Sequence, residues 1–420
     1  MVRLSPWLRP YFRPLKRAYT AGTRAAAPVT TRLSKARGGY LPTGVAWTME
    51  DAAADGGRFH LARPEEVLHR THPDGHPRPQ TAFTEALEEV VPRVGVLELA
   101  GGRVLQPHAV VVTAAGRLLQ EQCWYFGTTR PREHPIFLKP FHPAPQEVPG
   151  RLGVLATRGD SNYYHFLHDC LPRTAVLEQA DAVAPVDRWY VPRATRFQRE
   201  LLELWGIAED QVVDAAAVPH VRAESLVVPG VPSLVERNPP WVAQLLRDRL
   251  RPPGLARVPG RHLYLTRGTQ KANRIATNEA GVLALLRPLG FEPLDAGDLS
   301  VADQIRTFAE ADLIVALHGA ALANLVFCSP GATLIELFPS GSLVADYWKM
   351  ASGVPGLEYR YLCGAGPAVE ATRTGEVPPF GPPVGRERGD FVVADITVDL
   401  PRLEAMVHDA LEARRGQQGG

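Results

Sequence analysis

The segment from Leu313 to Asn324, Leu-Ile-Val-Ala-Leu-His-Gly-Ala-Ala-Leu-Ala-Asn, constrains the fold more than any other stretch of the chain. Five apolar residues end at a histidine and a glycine, small residues follow, and the pattern beyond them is helical. A short apolar run bounded by such a turn reads as a buried strand feeding a helix, the connection an α/β sheet needs. Backbone N–H groups at the start of a helix have no partner within it, and the helix dipole favours negative charge there. The turn therefore suits a phosphate or diphosphate. Gly319, Ala320 and Ala321 keep bulk away from that backbone, and His318 offers a hydrogen bond or a positive charge. In open α/β sheets the C-terminal strand edge is where ligands bind. Many turns of this kind only connect elements, so the segment alone is compatible with both readings.

Upstream, Arg261 to Glu279 reads as a strand, His262 to Thr266, running into a basic loop. Thr266, Arg267, Lys271 and Arg274 sit at that strand's C-terminal end. Arginine offers a two-pronged fork and lysine a point charge to a diphosphate; the alternative is a solvated loop. Asn278 is placed to cap a helix whose apolar face is Val282, Leu283, Leu286 and Leu289. Ser300-Val-Ala-Asp303 is a capping pattern for a second helix, with Val301, Ile305 and Phe308 on one face. Ala332 to Phe338 is a further buried strand carrying Glu336. That carboxylate could accept from the hydroxyls of a ribose, or could pair with a nearby arginine.

A second constellation lies at Asn162-Tyr-Tyr-His-Phe-Leu-His-Asp-Cys-Leu-Pro-Arg173. Read as a helix, Tyr164, Leu167, Leu171 and Ala175 share one face, and His165, Asp169 and Arg173 form another line at steps of four. His165 and Asp169 can therefore touch, and Pro172 bends or interrupts the helix. A carboxylate beside a histidine is a candidate general base. Asp169 is the first choice, with His165 or His168 orienting it or taking the role. The pair could equally be a buried fixture of the helix. A metal reading of His165, His168 and Asp169 lacks a fourth ligand and the zinc spacings.

Taken in order, these blocks resemble glycosyltransferase family 61: Tyr-His-x-x-x-Asp-x-x-Pro-Arg over 164–173, Thr266-Arg267, Arg274-x-x-x-Asn-Glu279, Leu299-Ser300-x-x-x-Gln304, His318-Gly-Ala-x-Leu-x-Asn324 and Glu336-Leu-Phe-Pro339. The family includes capsular-polysaccharide biosynthesis proteins. The resemblance implies a GT-B-like α/β architecture, two Rossmann-like domains facing across a cleft, with an inverting mechanism and no essential metal. It implies a nucleotide-sugar donor, UDP-linked, held by the C-terminal half, with no other cofactor. Asn162, Tyr164 and Arg173 would then lie on the acceptor side. The chain has no Asp-x-Asp, the usual divalent-cation motif of metal-dependent sugar transferases. Ala320-Ala-Leu-Ala departs from the family's commoner glycine- and threonine-bearing loop.

Length and charge frame these readings. A chain of 420 residues with net charge +1 has room for two cores and no strong field for nucleic acid. Its composition looks like that of a bacterial protein from a GC-rich genome, and its four scattered cysteines read as reduced thiols of a cytoplasmic protein. Residues 1–40 hold nine Lys or Arg and no Asp or Glu. They form a basic arm that, through Trp7, Leu8, Tyr11 and Phe12, could touch a membrane surface near a lipid-linked acceptor. The expected domains are 41–213 for the acceptor, 214–363 for the nucleotide-sugar, a Pro- and Gly-rich loop over 364–392, and a C-terminal helix from 393 packing back on the first domain. Two other readings remain open: an epimerase-like enzyme on the same fold, and a non-catalytic glycan-assembly protein.

Overall fold

A computed structural model describes residues 44–76, 81–123, 142–233, 236–267, 275–339, 343–364 and 395–418, with single residues or short pieces among 18–33 and at 42, 125, 131 and 134–138. In chain order the strands are β1 (Gly44–Ala46), β2 (Gly57–Arg63), β3 (Glu66–His69), β4 (Asp74–His76), β5 (Glu88–Val91), β6 (Val94–Ala100), β7 (Arg103–Leu105), β8 (Val110–Val112), β9 (Arg117–Leu119), β10 (Gln146–Val154), β11 (Arg188–Val191), β12 (Val212–Asp214), β13 (His220–Pro229), β14 (His262–Leu265), β15 (Phe291–Leu294), β16 (Leu313–Leu317), β17 (Thr333–Phe338) and β18 (Glu358–Cys363).

The second half builds the sheet its sequence announces. The strand order is β15-β14-β16-β17-β18-β4, and every neighbouring pair is parallel. Every residue of β16 and β17 is buried, as a parallel sheet covered on both faces requires. Alternate side chains serve two cores. Leu313, Val315 and Leu317 face the helices Glu279–Leu286 and Leu400–Gln418, while Ile314 and Ala316 face a core shared with the first half. Ser300 caps the helix Val301–Glu310 as its pattern requires, accepting from the Asp303 N–H at 3.1 Å.

The first half is a ten-stranded mixed sheet. Its parallel block β13-β10-β11-β12 carries the helices, and β13 joins it antiparallel to β6 and β7. The boundary expected at 214 falls inside this sheet. β13 pairs with β10, and Val221, Ala223, Leu226 and Val228 complete the first core. The first half also lends β4 to the other sheet, beside β18.

The C-terminal helix packs on the second sheet, where a return to the first domain had been expected. Leu403, Val407 and Ala410 enter the core over Tyr264 and Leu313, and Arg414 donates to Asp312 at 3.0 Å. Among the described residues no helix is long and apolar enough to cross a membrane. Most of the basic arm and of the Pro- and Gly-rich loop lies outside the described residues.

Candidate active site

β10 ends at Val154, and the chain turns through Arg158 and Asp160 to Asn162, whose side chain caps the next helix by accepting from the Tyr164 N–H at 2.9 Å. One α-helical turn, Tyr163–His165, gives way to a π-helical turn, Phe166–Cys170, before Pro172 opens the helix Arg173–Gln179. The proline has no N–H to give to an α-helical partner, and the Leu171 N–H reaches back five residues to the Phe166 carbonyl. Single π turns of this kind recur at functional sites because they re-aim side chains.

The expected meeting of His165 and Asp169 occurs. Nδ1 of His165 donates to Oδ2 of Asp169 at 2.7 Å, with both side chains partly open. Oδ1 of Asp169 is buried and has no hydrogen-bond partner among the described residues. Burial disfavours the charged His165 ring, but the hydrogen bond and charge of Asp169 outweigh it and raise the ring above its ordinary value. Asp160, three residues before Tyr163, is pushed up to about 7 by burial, against the Thr157 N–H that it accepts.

Three other residues of this block turn inward, away from the roles expected of them. His168 is buried, stacks on Tyr164 at 4.8 Å and spends Nε2 on the Ala323 carbonyl at 3.2 Å. Burial holds it down at about 4, so it is a neutral fixture and a poor base. Arg173 is buried and donates to the carbonyls of Pro229 at 2.7 Å and Ala156 at 2.9 Å, tying off the ends of β13 and β10. Its guanidinium is committed to the sheet, not to an acceptor. Tyr164 is buried too, its hydroxyl donating to Asn238 at 2.8 Å.

The second constellation forms at the ends of β14, β16 and β17. Gly319 is in extended backbone, and the next eight residues, Ala320–Phe327, form the helix expected there, wound as a 3-10 helix. Leu322 to Phe327 are all buried. Gly319 is needed for room. A Cβ there would collide with Nη2 of Arg267, which crosses the turn to donate to the His318 carbonyl at 2.6 Å. Arg267 is thus brought beside His318 and Gly319, and burial lowers its pKa. Thr266 sits one residue before it, its N–H on the Leu294 carbonyl. Lys271 and Arg274 lie outside the described residues.

Glu336 is completely buried, and its partners are His318 and Tyr359, in place of an arginine or an open cleft. Asn278 also differs from expectation. Its side chain makes no cap and clasps the backbone of Val398 through both amide groups, at 2.8 and 2.9 Å.

The two constellations are bonded to each other. The Tyr163 hydroxyl donates to Asn324 at 2.8 Å, and Asn324 in turn donates to Gln304 at 2.8 Å. Tyr347 adds a ring contact at 5.9 Å to Tyr164 and one at 5.0 Å to His318. Sequence reasoning missed Tyr163, Tyr347, Tyr359 and Asn238. Tyr163 lies within the quoted histidine block and could have been weighed with it; Tyr347, Tyr359 and Asn238 carry no such signal. Among the described residues no three His, Cys, Asp or Glu side chains cluster closely enough to hold a metal ion.

Comparison with known proteins falls on this same region. Residues 163–335 match the family described as Glycosyltransferase 61. The chain is similar to the protein O-linked-mannose beta-1,4-N-acetylglucosaminyltransferase 2 of Xenopus tropicalis, 34% identical over 104 residues, which are 24% of this chain and 18% of that protein. It is similar to the protein of the same name from Homo sapiens, 31% identical over 110 residues, 25% of this chain and 19% of that one. The chain thus spans about a fifth of the length of these curated relatives, which are animal proteins.

Proposed function

We propose that this chain, whose residues 163–335 match glycosyltransferase family 61, is a member of that family and transfers a sugar from a UDP-linked donor to a hydroxyl of a glycan or lipid-linked acceptor, with inversion and without an essential metal. The observation that carries this reading is the bonding of the His165–Asp169 turn to the His318 turn through Tyr163 and Asn324. An inverting transfer needs a group to take the acceptor's proton and a group to steady the leaving diphosphate, on opposite sides of one anomeric carbon. Asp169, backed by His165, supplies the first. Arg267 and the backbone at Gly319 to Ala321 supply the second, with Lys271 and Arg274 as further cations of the same loop. The two sheets then stand as the donor and acceptor halves of a GT-B-like cleft.

In the transfer, Asp169 accepts the hydroxyl proton as the acceptor oxygen attacks the anomeric carbon. The bond to the diphosphate breaks with its electron pair, and Arg267 meets the developing charge. Because the relatives are named as N-acetylglucosaminyltransferases acting on O-linked mannose, UDP-N-acetylglucosamine is the first donor to try. A cell-surface polysaccharide such as a capsule is the proposed product class.

Calorimetric titration with UDP, GDP and CDP, with and without EDTA, tests the reading. UDP binding that survives EDTA is the expected result. Absence of binding by any nucleotide would overturn the donor site and leave a non-catalytic protein as the better description.

A further inference from the structure

The crossover between the parallel strands β11 and β12 is the helix Arg196–Trp205. Thr195 opens it with a capping box, and Gly206, at φ 84°, turns the chain out of it. Leu201, Leu202 and Trp205 bury one side. The same side reaches the His165–Asp169 turn. Phe197 packs its ring 5.5 Å from that of Tyr163 and 5.9 Å from that of Phe166, and the Gln198 amide donates to the Asp160 carbonyl at 2.9 Å. Arg196, Arg199, Glu200 and Glu203 follow one another at steps of three, one and three, which puts them together on the opposite side. With Arg193 before the helix and Glu209 after it, they line a cavity of about 720 Å³. That volume lies within the roughly 300–1,000 Å³ of ligand pockets. Leu202, Ile207 and Val212 add apolar lining.

Charge in this cavity is balanced, three guanidiniums against three carboxylates among the described residues. Arg193 is paired with Glu209, and Arg196 donates from Nε to Glu200 at 2.6 Å. Arg199 gives Nη1 to the carbonyls of Arg193 and Ala194, at 3.2 and 2.9 Å. A guanidinium carries five N–H donors and a carboxylate about four lone-pair sites, so these contacts leave donors and acceptors side by side along the wall. An acidic polymer would meet as many carboxylates as guanidiniums. A hydroxyl both donates and accepts, so a neutral chain of sugars suits both kinds of group, and the C–H faces of its rings suit the apolar lining.

We infer that this cavity holds a neutral oligosaccharide, the part of a glycan acceptor that lies beyond the sugar being modified. The helix stands between the cavity and the His165–Asp169 turn, so the sugars bound here are not the one that reacts. Glu200 ties the cavity to the second half as well, its Oε2 accepting at 2.7 Å from the Val301 N–H of the helix that carries Gln304. The acceptor role rests on the transferase reading above; the sugar site itself does not.

The test titrates the full chain by calorimetry with neutral tetrasaccharides of mannose, glucose, galactose and N-acetylglucosamine, each beside its monosaccharide, and with tetragalacturonate as the acidic counterpart. At least one neutral tetrasaccharide should bind, and more tightly than its monosaccharide. The decisive variant joins Arg196→Ala to Glu203→Ala. It removes one donor and one acceptor, keeps the net charge, and touches two exposed side chains that make no bond to the backbone. Its Kd for the tetrasaccharide should rise about tenfold or more, with Tm and the Kd for UDP unchanged. With UDP-N-acetylglucosamine as donor, KM for the tetrasaccharide acceptor should rise and kcat should hold. Binding by no neutral tetrasaccharide, or binding that the variant leaves unchanged, would overturn the sugar site. Tighter binding of tetragalacturonate would overturn its neutral ligand. A lower Tm with UDP and sugar affinity lost together would give the two residues a structural role and overturn the inference. A fall in kcat with KM unchanged would overturn the acceptor role. A wild type that binds the tetrasaccharide but no UDP would sink the donor reading and the acceptor role with it, and the sugar site would stand.

Discussion

The molecule holds two histidine–carboxylate pairs of nearly equal length, 2.7 Å for His165–Asp169 and 2.6 Å for His318–Glu336, and it builds them in opposite ways. The first lies within one turn of a π-distorted helix, its side chains 20% and 14% exposed, with a carboxylate oxygen left without a hydrogen bond among the described residues. The second bridges two strands, its side chains 10% and 0% exposed, with both carboxylate oxygens bonded. Distance does not separate them; unused bonding capacity does. A buried oxygen without a partner costs about 1–3 kcal/mol, so its persistence points to use. A fully buried carboxylate whose two oxygens both already accept a hydrogen bond is placed to fix its neighbours.

The largest test of that contrast is Asp169→Asn. If Asp169 is the base, turnover should fall by about 10²–10⁴-fold with UDP affinity within roughly twofold of wild type. Equal losses of turnover and affinity would mean that the first pair is a fixture like the second. Next comes Arg267→Ala, which removes a charged donor beside the second pair. Loss of such a bond is worth about 1.5–3 kcal/mol, roughly a tenfold to hundredfold weaker UDP affinity by calorimetry. Gly319→Ala should act in the same direction by displacing that guanidinium, and unchanged affinity in both variants would remove Arg267 from the donor site. Smaller again is Asn324→Ala, which strands the Tyr163 hydroxyl and the Gln304 amide. It should lower stability by about 1–3 kcal/mol in denaturant melts and reduce turnover and affinity together. An effect on one of the two alone would show that the two pairs are not coupled through Asn324.

How much of this was legible in the sequence differs between the pairs for a physical reason. Spacing of four brings side chains together on α-helix and π-distorted helix alike, so His165 and Asp169 could be paired from sequence. The π turn could not be read, because Pro172 says that the helix is disturbed and not how. His318 and Glu336 meet through strand register, which one sequence does not encode. The same holds for Tyr359, diagonal to Glu336 across β17 and β18. The strand expected over His262 to Thr266, found as His262 to Leu265, and the Ser300 cap came through because they depend on local chemistry. The packing of the C-terminal helix was missed because its apolar face does not name its partner. Arg173 and His168 were misjudged for a shared reason. Polar residues near a motif look functional until burial shows that they are satisfying carbonyls at strand and helix ends.

The finest test is the pH at which each pair matters. Burial works against a charged His165, and Asp169 overcomes it, so the ring titrates above the ordinary 6.5. The stability this pairing contributes is complete below the unfolded-state value and is lost as pH rises through the higher folded-state value. Activity should run the other way, because the pair accepts the acceptor's proton only after giving up its own. The acid limb of kcat/KM should therefore have its midpoint above 6.5, where the pair's stabilising contribution begins to fade. Asp160, pushed up to about 7, titrates in the same window, and His168, held near 4, does not. Asp160→Asn is the necessary control and should leave the midpoint in place. In Asp169→Asn, burial loses its largest counterweight, and the His165 ring followed by NMR should titrate lower than in the wild type, with the charge of Glu236 still opposing burial. Glu336→Gln should leave His165 untouched. If the acid limb instead follows Asp160 or Glu336, the proton is handled elsewhere, and the unbonded carboxylate oxygen of Asp169 loses its claim to be the base.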